Sequence, residues 1–260
     1  MKEFLKSYWK TLLFFAVVGL VGGYAVGIYM LDNYPADIKQ QVIDELNASG
    51  LANLPVDVAL GVSNALTSLV YGVVLGALGI FLGKKVGLWR DEISITPKPL
   101  VTSLVVALAG GLLMILPDLL FFCDYSQAIA DSYANKPNIV YLLASVLYGG
   151  VIEEVMLRLF WMSLSVFVLH KLFNGKNSAP TQAILVISNI VCALLFAAAH
   201  LPATFLLIGN DPLVIVRCFA LNGGLGLLFG WLYRKYGLRY AMIAHAGCHV
   251  VSKLIWLLFI

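Results

Sequence analysis

The stretch Asn138 to Lys171 reads NIVYLLASVLYGGVIEEVMLRLFWMSLSVFVLHK. Before its closing His-Lys it carries only three charged residues, Glu153, Glu154 and Arg158, all in the middle of an apolar run. A membrane-spanning helix needs about 20 predominantly apolar residues, and a backbone in lipid must satisfy its own hydrogen bonds, so a run of this kind is a membrane helix. At ~1.5 Å per residue it far exceeds the ~30 Å hydrocarbon layer. It must tilt, protrude or break, and Gly149-Gly150 is the place for a break.

Six similar runs surround it: Tyr8 to Leu31, Val58 to Gly83, Leu100 to Phe122, Ala183 to Ile208, Leu213 to Tyr233 and Leu238 to Phe259. The 260 residues are 61% hydrophobic and 12% charged, with a mean hydropathy of +0.91; soluble domains carry about 25% charged residues. A water-soluble globule and a disordered chain are excluded. The net charge of +3, with basic residues scattered in twos and threes, also excludes a nucleic-acid binder. The expectation is an all-α, polytopic membrane protein of about seven helices in one domain, with the lipid bilayer as its first partner. Its oligomeric state is not legible.

The loops alternate in sign. Lys2, Lys6, Lys10, Lys84, Lys85, Arg90, Lys98, Lys171, Lys176, Arg234, Lys235 and Arg239 share one side, twelve of the seventeen Lys and Arg. The other side holds Asp32, Asp37, Asp44, Glu45, Asp57, Asp124, Asp131 and Asp211, with only Lys39 and Lys136. By the positive-inside rule the N-terminus is expected in the cytoplasm and the C-terminus outside the cell membrane. The first run, Thr11 to Leu31, is longer than the core of a signal peptide and lacks an A-x-A site, so it reads as a retained helix. Asp37 to Ala52 is amphipathic and suits the outer surface, although an eighth short segment could hide between Asp32 and Asp57. Gly87-Leu88-Trp89-Arg90 resembles an inner-interface anchor. Cys123, Cys192, Cys218 and Cys248 show no C-x-x-C spacing and read as small apolar groups.

Ionisable groups inside a bilayer are costly and mark function by default. Asp118, Arg217 and Lys253 stand near span ends, where snorkelling or a loop partner accounts for them. Glu154 and Arg158, at i and i+4, form a self-neutralising pair, whereas Glu153 points about 100° away and has no partner on its own helix. His200 ends Phe196-Ala197-Ala198-Ala199-His200, where three alanines allow a close helix and Pro202 bends the chain beyond. His245 and His249, at i and i+4, face one way with Ala246 and Gly247 between them.

A glutamate and three histidines can activate water for peptide hydrolysis. They can also ligate Zn²⁺, although H-x-x-x-H lacks the glutamate of H-E-x-x-H. A third option is a proton relay in a transporter, for which paired repeats are missing. A structural role, with both acids stapling helices through Arg158, is the bland alternative.

At these residues the sequence resembles the CPBP family (CAAX proteases and bacteriocin-processing enzymes, or Abi family), marked by E-E-x-x-x-R, F-x-x-x-H and H-x-x-x-N/D on successive membrane helices. Glu153-Glu154 with Arg158 match the first motif, Phe196 with His200 the second, and the run from Gly230 to His245 leads into the third. The resemblance covers roughly Gly150 to the end. It implies a CAAX-protease-like helical core at 138–260, preceded by motif-free helices at 1–137. The implied activity is that of a glutamate-type, metal-independent intramembrane endopeptidase with no cofactor, acting on a peptide or protein substrate such as a CAAX-like, bacteriocin or signal-peptide precursor, with self-immunity as a further role. Glu153 and His200 would activate water, His245 would help stabilise the oxyanion, and Glu154 and Arg158 would be architectural. His249 stands where the family has Asn or Asp. It could complete the oxyanion hole, make activity pH-dependent, restore a zinc ligand, or mark a catalytically silent scaffold or immunity protein of the same fold.

Overall fold

The computed structural model describes residues 2–50, 53–91, 94–134, 136–173, 175 and 179–260. Lys176 of the basic loop and Ala52 of the amphipathic segment lie outside the described residues. Among these, the chain forms helices and no strand: α1 (Lys2–Asn33), α2 (Ala36–Ala48), α3 (Val56–Lys85), α4 (Pro97–Tyr125), α5 (Gln127–Ser132), α6 (Ile139–Phe173), α7 (Gln182–Leu207), α8 (Pro212–Tyr236) and α9 (Leu238–Phe259). Seven, all but α2 and α5, are long and apolar enough to cross a membrane. Their outward faces carry large apolar side chains such as Val105 and Leu120, which suits a lipid environment. In α2 no residue is buried.

Apolar side chains lose little by facing lipid, so helix association in a membrane depends on close packing and polar contacts. Gly19, Gly23 and Gly27 recur every fourth residue on α1, and a Cβ on them would collide with the backbone of α3 at Ser68, Asn64 and Leu60. This glycine face seats α1 against α3. The central helix is α6, against which α1, α3, α7 and α9 all pack.

The long α6 does not break at Gly149-Gly150. From Ala144 to Met162, apart from Glu154, its backbone is π-helical. Wider turns advance less per residue, so part of the excess length is absorbed without a gap, and π segments frequently occur at functional sites. The two glycines serve packing instead: a Cβ on Gly150 would lie 2.6 Å from Ala246 Cβ, and one on Gly149 would lie 2.9 Å from His249 Nε2. Only hydrogen at these positions lets α9 lie this close to α6.

Two sequence expectations change. Leu88, expected to anchor at the interface, is 5% exposed and joins the protein core, because Leu88 and Trp89 both donate backbone bonds to the Gly83 carbonyl and fold the segment back under α3. Asp118 and Arg217, treated separately, belong to one another. Arg217 Nε donates to Asp118 Oδ1 at 2.6 Å, its Nη2 donates to Oδ2, and Tyr133 Oη donates to Oδ2 at 2.8 Å. Asp118 is fully buried, so the pair ties α4 to α8. Breaking one partner of such a pair costs about 3–5 kcal/mol. Asp118→Asn is therefore expected to lower resistance to thermal unfolding in detergent by roughly that amount, and an unchanged midpoint would contradict the assignment.

Candidate active site

The π-helical middle of α6 presents its two acids differently. Glu154 is fully buried: its Oε1 lies 3.2 Å from Arg158 Nη1 and accepts from His245 Nδ1 at 2.9 Å. Arg158, 1% exposed, donates from Nη2 to the Gly226 carbonyl of α8 at 3.0 Å and lies over the rings of Phe196 and Phe229. One guanidinium thereby links α6, α7 and α8, and Glu154 adds α9. Among the described residues Glu154 Oε2 and Arg158 Nη1 make no hydrogen bond, so the set is held by the ion pair and the two bonds to His245 and Gly226, which a low dielectric strengthens.

Glu153 has 18% of its side chain accessible, and its Oε2 faces His245 Nε2 at 4.0 Å. That is too long for a hydrogen bond. A water ~2.8 Å from both atoms would subtend an angle of about 90° between them, so the gap suits a shared water. His245 is held at three places: Nδ1 by Glu154, and the ring by stacking with Phe229 at 4.4 Å and 19° and with His249 at 5.0 Å and 28°. Since a carboxylate only accepts, Nδ1 carries the proton and Nε2 is the atom turned toward Glu153.

His200 sits where α7 is interrupted, its backbone N–H bonding to Ala197 O at 3.1 Å before Pro202 restarts the helix. Its Nδ1 donates to the Phe196 carbonyl at 2.8 Å. A carbonyl cannot donate, so Nε2 of His200 is left as the acceptor. No hydrogen bond or ion pair among the described residues joins His200 to Glu153. The link is Phe196, whose ring meets His200 at 4.7 Å and His245 at 5.8 Å. The close approach beside it uses Ala193 and Ala197, both buried, while Ala198 and Ala199 are exposed. The small stripe on α7 therefore follows the i, i+4 face rather than three alanines in a row.

His249 has a buried Nδ1 without a hydrogen-bond partner among the described residues, and its Nε2 lies against Gly149. No group of three or more His, Cys, Asp or Glu side chains among the described residues is arranged to hold a metal. Cys192, Cys218 and Cys248 are buried free thiols.

The site also includes residues the sequence reading passed over. Phe229 and the Gly226 carbonyl come from α8, a helix without a titratable motif in its middle. The only signal was the recurrence of Gly226 and Gly230 around Phe229, which marks a face that a neighbour approaches closely. Residues 135–251 match the family model described as type II CAAX prenyl endopeptidase Rce1-like. No curated protein and no solved structure matches the chain.

Proposed function

We propose that this multi-pass membrane protein, which carries a domain of the CAAX protease (CPBP) family across residues 135–251, hydrolyses a peptide bond of a membrane-associated or small peptide by water activated between Glu153 and His200. At family level the domain is that of an intramembrane protease. The observation that carries the mechanism is the division of labour between adjacent acids: Glu154 is buried, ion-paired with Arg158 and hydrogen-bonded to His245, while Glu153 is accessible and turned toward His245 Nε2.

The steps follow from the atoms available. Glu153 takes a proton from water, His200 Nε2 accepts the water's second hydrogen bond, and the oxygen attacks the carbonyl carbon. The developing oxyanion is met by a hydrogen bond from His245 with both ring nitrogens protonated, Nδ1–H held by Glu154 and Nε2–H free to donate, and the C–N bond breaks as the proton held on Glu153 passes to the leaving amine. Glu154 and Arg158 position His245. No resident cofactor or metal enters these steps. The N-terminus is assigned to the cytoplasm by the positive-inside rule.

The test is purified protein in detergent with a panel of candidate peptides, comparing wild type with His200→Gln. Loss of about 100-fold or more in kcat/KM is expected for the variant. Activity abolished by a chelator and restored by Zn²⁺ would favour the metal mechanism. A biological phenotype that survives His200→Gln and Glu153→Gln would favour a silent scaffold.

A further inference from the structure

Lys253 does not snorkel. It is 6% exposed, lies inside α9, and makes no hydrogen bond or ion pair among the described residues; its ammonium rests 4.0 Å from the centre of the Tyr141 ring. Tyr141 stacks on Tyr29 at 4.4 Å, and Trp256 meets Tyr141 edge-on at 5.8 Å. A cation over an aromatic face gains about 2 kcal/mol when desolvated, less than the several kcal/mol that removing an ammonium from water costs. The two residues that flank Lys253 on the same face are also short of partners: among the described residues, the buried His249 Nδ1 and Trp256 Nε1 have no hydrogen-bond partner. Positions 249, 253 and 256 are at i, i+4 and i+7, so one face of α9 carries three consecutive groups without an acceptor. Lysine and tryptophan can only donate, and histidine can donate from Nδ1.

We infer that this face of α9 is an anion-binding subsite for a carboxylate of the peptide substrate, with Lys253 as its charge and His249 and Trp256 as flanking donors. A carboxylate supplies what is missing, a negative charge and two acceptor oxygens with room for several donors. The inference rests on reading the Glu153 site as a peptide hydrolase. Lys253 lies two turns beyond His245, about 12 Å along the helix, so one bound peptide can reach both with a few extended residues.

The test uses the full chain purified in detergent and three probe pools of N-acetyl hexapeptides built from Ala, Val, Leu, Ile and Phe: free acids, C-terminal amides, and amides with one internal Glu. The free-acid pool is expected to raise the unfolding midpoint by about 3 °C, and the plain amides not at all. Lys253→Met should abolish the rise and Lys253→Arg should keep it. A rise with the internal-Glu pool alone keeps the subsite and assigns it to an acidic side chain. Equal response to acids and plain amides, response to no pool, or an unaltered response in Lys253→Met overturns it. Glu153→Gln should still show the rise while losing cleavage. If instead it cleaves normally with the rise intact, the catalytic reading fails and the subsite stands.

Discussion

Replacing Glu153 by Gln is expected to lower peptide cleavage about 10³-fold, equivalent to ~4 kcal/mol of transition-state stabilisation, while leaving the protein folded. The amide keeps the size and one acceptor oxygen of the carboxylate but cannot take a proton from water. The fold should tolerate the change because Glu153 is not part of the buried polar set: its nearest ionic contact is the 4.0 Å approach to His245 Nε2. The same substitution at Glu154 should behave differently. A glutamine there can still accept from His245 Nδ1, but it leaves Arg158 without a counter-charge in a site that excludes water. The signature of the proposed division is therefore a rate loss without a stability loss at Glu153, and both losses together at Glu154. Single-turnover cleavage and thermal unfolding of the two variants read it out.

Arg158→Met is expected to be among the most destabilising single changes in the membrane core, at about 3–5 kcal/mol. The guanidinium is 1% exposed and serves three groups at once: Glu154 on its own helix, the Gly226 carbonyl on α8, and the aromatic faces of Phe196 and Phe229. Removing it leaves the buried Glu154 carboxylate without its counter-charge and takes the interhelical bond from the Gly226 carbonyl. Methionine fills much of the space without restoring the ion pair or the hydrogen bond. The double variant Glu154→Gln with Arg158→Met removes the stranded charge as well, so it should recover part of the stability while His245 remains poorly oriented. Unfolding midpoints of the two singles and the double give the coupling directly. Additive losses would mean that the pair does not act as a unit.

These contacts also mark what could be read before the structure. Seven spans follow from apolar runs alone, because membrane helices are specified by composition and length more than by long-range pairing. The i, i+4 pairing of Glu154 with Arg158 follows from helix geometry. The second partner of Glu154, the stacking of Phe229 on His245, and the bond from Arg158 to Gly226 depend on which faces of four helices meet, and no single period contains that information. The π-helical middle of α6 was legible only as a length problem at Gly149-Gly150. Its resolution lies in the approach of Ala246 and His249, residues almost 100 positions away. Lys253 was misread for a similar reason. Its place near a span end suggests an exposed head group, but it lies against Tyr141, which Tyr29 and Trp256 hold from two other helices.

The most direct measurement is mass spectrometry of peptide products formed by the wild-type protein in H₂¹⁸O, in the presence of a chelator and of hydroxylamine. Direct attack by water activated at Glu153 predicts that the new carboxylate carries ¹⁸O, that no hydroxamate forms, and that the Glu153→Gln protein forms product about 10³-fold more slowly. A hydroxamate, or unimpaired cleavage by Glu153→Gln, would contradict it.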